Sequence, residues 1–215
     1  MLCSSAGRRL IFRSVAPVIT LCLLLTSDVN AGKAKFNKVL NIGDAAPTWS
    51  DLPGIDGKGH SLGDYAEAKA VVIIFTCNHC PVAKDYEDRF IALAKKYKAN
   101  EVQVVAISVN KFKADLPDKM RERAAAKGFP FPYLYDGSQQ SGRQYGATAT
   151  PHVFVLDEQR RVAYMGAFDD NRSSANVKKH YALDAIAALL AGNEPPVKES
   201  LQRGCGIEYE SAKKD

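Results

Sequence analysis

The sequence predicts an α/β fold: a sandwich with a central mixed β-sheet flanked by helices. Three observations predict it. Val71–Phe75 and Val102–Val109 are apolar, β-branched runs of the kind found in strands buried on both faces. Each run is followed by a stretch of helical periodicity. Residues 152–166 then read as two strands around a turn, with one more helix after them.

In chain order, residues 32–41 read as a flexible polar arm, and the domain spans residues 42–192. Pro47, Pro53 and Gly54-Ile55-Asp56-Gly57 mark turns around short strands, and Ser61–Tyr65 suits one helical turn. After the strand Val71–Phe75, Pro81 opens an amphipathic helix. Val82, Tyr86, Phe90, Leu93 and Tyr97 recur on one face of it, with Lys84, Asp85, Glu87, Asp88 and Arg89 between them. Val102–Val109 is the second buried strand. Leu116–Lys127 reads as a helix ended by Gly128, Phe131–Tyr135 as a shorter strand, and Ser138–Tyr145 as a helix ended by Gly146. His152–Asp157 and Arg161–Gly166 form an antiparallel hairpin, and Val177–Ala191 is the closing helix. Residues 193–215 are a C-terminal tail carrying Gly204-Cys205-Gly206.

Residues 1–31 stand apart from the fold. Arg8, Arg9 and Arg13 precede the apolar stretch Val15–Leu25, and Val29-Asn30-Ala31 offers a cut site. This is the pattern of a secretory signal peptide cleaved near Ala31, with a loose twin-arginine character. The apolar stretch is shorter than the ~20 residues a spanning helix needs, so no permanent membrane anchor is expected. The expected location is periplasmic or secreted. The formal net charge is +5, and loss of residues 1–31 removes three Arg and one Asp to leave +3. So mild a charge, with no basic stripe interleaved with aromatics, argues against a nucleic-acid partner.

Export changes the meaning of the cysteines. Cys3 and Cys22 leave with the signal, and the mature chain keeps Cys77, Cys80 and Cys205. Outside the cytosol disulfides persist. Three thiols leave one free, or let the pairing change during function. A domain of this size folds without a staple, which favours chemistry over scaffold. The run Cys77-Asn78-His79-Cys80 follows directly on a buried strand and precedes Pro81 and a helix. That order is the signature of a thiol–disulfide redox site. The thiolate is the attacking species, so its pKa sets reactivity. Cys77 is expected at the strand-to-helix junction, where the helix dipole, free backbone N–H groups and a protonated His79 would stabilise a negative sulfur. On this reading Cys77 is the nucleophile and Cys80 the buried resolving thiol. Cys205 is a candidate third thiol, either a relay group or a small apolar side chain. His152, beside Pro151, is equally well read as a satisfied strand histidine.

Together these residues resemble a thioredoxin-fold protein. More narrowly they are similar to the redoxin branch, the alkyl hydroperoxide reductase / thiol-specific antioxidant and peroxiredoxin-like group. The matching pieces are Ile42-Gly43-Asp44-Ala45-Ala46-Pro47, Val72 to Pro81, Thr150-Pro151 before a strand, and Tyr164-Met165-Gly166. They span about residues 40–190. The resemblance implies a thioredoxin-like three-layer sandwich, with Pro151 cis and facing the cysteine pair beside Thr150. It also implies exposed backbone there for pairing with an extended substrate strand. Two positions depart from the thioredoxin pattern. Thr76 stands where thioredoxins carry Trp, and Val71 stands where they carry a buried acid, which leaves a proton relay unassigned.

Three functions compete. The first is an exported thiol–disulfide oxidoreductase working through Cys77 and Cys80. Its partners would be protein or peptide thiols and disulfides and a thiol electron donor, with no cofactor. The second is a peroxiredoxin-like thiol peroxidase, but the Pro-x-x-x-Thr/Ser-x-x-Cys spacing fits neither cysteine. The third is a copper- or zinc-binding module, disfavoured by the absence of a second Cys-x-x-Cys pair, so no metal site is assigned.

Overall fold

Ala70–Phe75 (β3), wholly buried, is the middle strand of the domain's main sheet. In a computed structural model, residues 34–97 and 101–211 are described, together with Met1. The expected signal segment, with Cys3 and Cys22, lies outside the described residues. The elements in chain order are β1 (Leu52–Pro53), β2 (Gly59–His60), β3, α1 (Pro81–Lys96), β4 (Val102–Ser108), α2 (Pro117–Lys127), β5 (Tyr133–Tyr135), α3 (Gln140–Tyr145), β6 (Ala149–Thr150), β7 (His152–Leu156), β8 (Val162–Gly166), α4 (Tyr181–Leu190) and β9 (Cys205–Gly206). The five-stranded sheet runs β5-β4-β3-β7-β8. β3, β4 and β5 are parallel, while β7 and β8 run antiparallel to their neighbours, so the sheet is mixed as expected.

The two-residue period of the strands divides the core. Val72 and Ile74 face a cluster with Tyr86, Phe90 and Leu93 of α1, Met120 and Ala124 of α2, and Ala182 and Ile186 of α4. Val71, Ile73 and Phe75 face the other side, where Leu40, Trp49, Leu62, Tyr65 and Tyr145 of α3 cover them. Each large side chain so buried contributes about 1.5–3 kcal/mol, so both clusters are needed. The second layer is therefore built largely from the N-terminal segment. Residues 34–41, expected as a flexible arm, are tied to the body. Asn37 Nδ2 donates to Tyr145 O at 2.8 Å, and Glu199 Oε2 accepts from Lys35 N at 2.9 Å.

Three elements are shorter than their sequence patterns, each for a local reason. β5 starts at Tyr133 because Pro130 and Pro132 have no N–H to give a ladder. α3 starts at Gln140 because Asp136 takes the amides of Ser138 and Ser141 and holds the preceding turn open. α4 starts at Tyr181 because Asp170 binds the backbone of Lys178 and Lys179. Gly128 ends α2 at φ 67°, a left-handed cap that other residues adopt only with strain. Among the described residues no helix is long and apolar enough to cross a membrane.

Candidate redox site

The site forms where β3 stops. Thr76 N still donates to Ile107 O at 3.0 Å, and the chain then turns through Cys77-Asn78-His79-Cys80 into α1. Pro81 is the first helical residue, as suits a position whose N–H would have no partner. The residue before a proline avoids helical angles, and Cys80 is extended, with φ −72° and ψ 118°. Cys80 is therefore the helix N-cap, and Ala83 N donates to its Sγ at 3.4 Å. This corrects the expectation for Cys77. The helix N-terminus serves the second sulfur, because Pro81 delays the helix until Cys80 has passed.

Thr150 joins both sulfurs. Cys77 Sγ lies 3.2 Å from Thr150 Oγ1, and Cys80 Sγ lies 3.2 Å from Thr150 O. The Thr150–Pro151 bond is cis, as the resemblance implies. Cys77 and Cys80 are both buried reduced thiols, and Cys205 is a partly buried one packed against them. The Cys77 thiol first, then Cys205 and the Ala83 amide, pull Cys80 below the ordinary thiol range against the opposing effect of burial. Cys77 is pushed up, first because it gives its proton to Cys80, then by burial and by the negative Asp115. Cys80 Sγ also faces the Thr150 carbonyl, an acceptor that favours its thiol form.

Asp115 is the residue that sequence reasoning missed. It is fully buried at the end of a 3-10 turn, Lys113–Asp115, that follows β4. Its Oδ1 accepts from Asn78 N at 2.7 Å and His79 N at 2.9 Å, and its Oδ2 accepts from His79 Nδ1 at 2.5 Å. The turn between the cysteines is thus pinned to one carboxylate. His79, expected to offer its charge to a sulfur, faces that carboxylate instead, and its ring packs at a tilt of 52° on Phe112 with centroids 4.5 Å apart. The buried acid sought at Val71 is supplied from another element, 44 positions later in the chain. The only sequence signal is an Asp in an otherwise exposed loop, Lys111–Pro117.

Sγ of Cys77, a ring nitrogen of His79 and a carboxylate oxygen of Asp115 lie within 4.8 Å of one another. His79 and Asp115 already satisfy each other, so a cation would have to break their bond. His152 is buried, and burial holds it down to about 3. Its Nδ1 has no hydrogen-bond partner, and its ring packs on Phe154 at 4.6 Å. It is a neutral core residue, not the satisfied histidine expected.

The third thiol arrives from the tail. Cys205 pairs with Thr150, and Gly206 with Ala149, as the two-stranded sheet β6–β9. The backbone beside Pro151, expected to be open for a substrate strand, is taken by this chain's own residues.

Comparisons with known proteins give the family and the fold. The family model described as the AhpC/TSA family matches residues 42–165. Among solved structures, the chain is similar to an uncharacterized conserved protein from Geobacillus kaustophilus, with 32% identity, 82% of this chain and 96% of that chain covered, and a TM-score of 0.76. It is similar to a hypothetical protein from Sinorhizobium meliloti 1021, with 28% identity, 82% and 98% covered, and a TM-score of 0.75. It is also similar to a protein provisionally assigned as the thiol:disulfide interchange protein DsbE from Chlorobium tepidum, with 28% identity, 59% and 84% covered, and a TM-score of 0.52. A search of curated proteins finds no match.

Proposed function

The chain belongs to the AhpC/TSA family and has a thioredoxin-like fold, and from that premise we propose that it is an exported thiol–disulfide oxidoreductase exchanging through the Cys77/Cys80 pair. One observation carries the reading: two buried sulfurs converge on Thr150 beside a cis proline. That is a reduced pair poised for exchange. The thiolate attacks a substrate sulfur, a mixed disulfide forms, and the neighbouring thiol loses its proton and displaces the substrate. The N-cap position of Cys80, with the Ala83 amide on its sulfur, supports Cys80 as the attacking thiolate and Cys77 as the resolving thiol, the reverse of the roles expected from the sequence. Partners would be protein or peptide thiols and disulfides, with a thiol donor to complete the cycle. Export rests on the basic-then-apolar start of the chain.

The test is dithiothreitol-driven insulin reduction by the purified protein. Cys77→Ser and Cys80→Ser should each lower turnover by about 100-fold or more, since neither alone can close the cycle. Turnover unaffected by both changes would rule the reading out. Rapid Cys80-dependent loss of hydrogen peroxide without insulin reduction would move the protein to the peroxidase class.

A further inference from the structure

The C-terminal segment lies over the redox site as a fixed strap. Upstream, Ser200 N donates to Met165 O at 3.1 Å, and Ser200 Oγ accepts from Ala167 N at 3.0 Å. Downstream, Ile207 N donates to Thr148 O at 3.0 Å, and Tyr209 OH donates to Ala147 O at 2.7 Å. Gln139 clamps the end: its Nε2 donates to Glu208 O at 2.9 Å and its Oε1 accepts from Glu210 N at 2.8 Å. Between these anchors, Gly204 presses on the Thr150–Pro151 peptide so closely that a Cβ there would stand 1.9 Å from Thr150 O. The next residue is Cys205, paired with Thr150, and its side chain packs against the Cys77/Cys80 cluster. The strap therefore sits as a docked substrate strand would, with a thiol next to the pair. Cys77 and Cys80 are 2% and 0% exposed, whereas Cys205 is partly exposed. A macromolecular partner meets Cys205 first.

We propose that Cys205 is a third redox residue, relaying disulfides between the buried Cys77–Cys80 pair and external thiols. The inference rests on the exchange reading above and adds its route. In the oxidised protein, the Cys205 thiol loses its proton and its sulfur attacks Cys80 Sγ. The Cys205–Cys80 bond forms, the Cys80–Cys77 bond breaks, and Cys77 leaves as a thiolate that takes up the proton. No net electrons move. An external thiol then attacks Cys205, Cys80 leaves as its stabilised thiolate, and a second partner thiol releases the partner as its disulfide. The partner has lost two electrons and the protein's thiols have gained them. The reverse sequence serves a disulfide substrate. The site also gates the relay. Burial, and then the neighbouring Cys80 thiolate, hold Cys205 up to about 11 in the reduced state. When Cys80 enters a disulfide that charge disappears, and Cys205 becomes more acidic when it is needed.

The experiment is non-reducing peptide mapping of diamide-oxidised full chain, wild type and variants, beside insulin exchange. Wild type should carry Cys77–Cys80, which tests the exchange reading itself. Cys77→Ser should form an intramolecular Cys80–Cys205 disulfide. Adding Gly204→Val to that variant should lower its yield at least fivefold by lifting the strap off Thr150, while Gly204→Val alone still forms Cys77–Cys80. Cys205→Ser should keep the Cys77–Cys80 disulfide but exchange with insulin at least tenfold more slowly. The relay is overturned if oxidised Cys77→Ser leaves Cys80 and Cys205 alkylatable or joins them only between chains. It is equally overturned if Cys205→Ser exchanges with insulin at the wild-type rate. A wild type without Cys77–Cys80 would overturn the exchange reading and the relay together.

Discussion

At the scale of single residues, Asp115 adds to the difference between the two cysteines. Its carboxylate is fully buried and takes three hydrogen bonds from the Asn78-His79 turn. A negative charge this close disfavours a second one, so Asp115 helps hold the Cys77 thiol up and leaves the anion to Cys80. Asp115→Asn keeps the side-chain oxygen that accepts the two amides but removes the charge. Like charges at such distances shift a pKa by about one unit or more, so Cys77 in the variant should be alkylated about tenfold faster at pH 8. Iodoacetamide labelling resolved by peptide mass spectrometry reads each cysteine separately. An unchanged Cys77 rate would mean that its proton is held by Cys80 and burial alone. Asp115→Ala should also cost about 1–3 kcal/mol in urea unfolding, because two buried amides lose their acceptor.

At the scale of elements, α1 must be held in place for its N-cap to be useful. Asp169, buried after β8, accepts from Arg89 Nη1 at 2.5 Å and from Tyr86 OH at 3.1 Å, both on α1. The Arg89 guanidinium lies 3.7 Å from the Tyr86 ring centroid. Asp169→Ala removes the carboxylate partner of a mostly buried guanidinium, which keeps the Asn171 and Arg172 carbonyls, and should cost about 2–3 kcal/mol by urea unfolding, whereas Asp118→Ala, in an exposed pair with Arg121, should cost less than about 1 kcal/mol. Equal losses would mean that the Arg89 contact does not anchor the helix. The elements themselves were legible wherever the signal is local. The buried strands show in Val71–Phe75 and Val102–Val109, and the amphipathic face of α1 shows in Tyr86, Phe90 and Leu93. The Cys-x-x-Cys run marks two of the three thiols at the site. What was not legible depends on pairing over long separations. Nothing in Lys113-Ala114-Asp115 announces that it meets residues 78 and 79, and nothing near Cys205 announces Thr150. Pro81 is a readable helix start, but which sulfur caps that start is set by the extended backbone of Cys80 before it.

At the scale of the whole molecule, stability and redox state are linked through one proton. An unfolded cysteine titrates near 8.5, while Cys80 in the folded, reduced protein is shifted downward, chiefly by the Cys77 thiol. Below about 8.5 the unfolded chain therefore binds more protons than the folded one, so the stability of the reduced form rises with pH across that window and is lost as pH falls through the lowered value. Cys77 and Cys205 are shifted upward, so their contributions fade only above about 8.5. His152 adds a second slope. Buried neutral and held down to about 3, it weakens the fold as pH falls below about 6.5, whatever the redox state. Subtracting oxidised from reduced stability removes the His152 component and leaves Cys80, because a disulfide has no thiolate to protect. Urea unfolding of both forms at pH 4.5, 6.5 and 8.5 should therefore give a difference that grows with pH. Reduced Cys80→Ser should keep only the His152 slope below about 6.5. Parallel curves for the two redox forms would mean that Cys80 is not ionised in the fold. The same stabilised thiolate that steepens the reduced curve also makes the Cys77–Cys80 disulfide more oxidising than that of an ordinary dithiol, so the stability difference and this excess oxidising power grow over the same pH range.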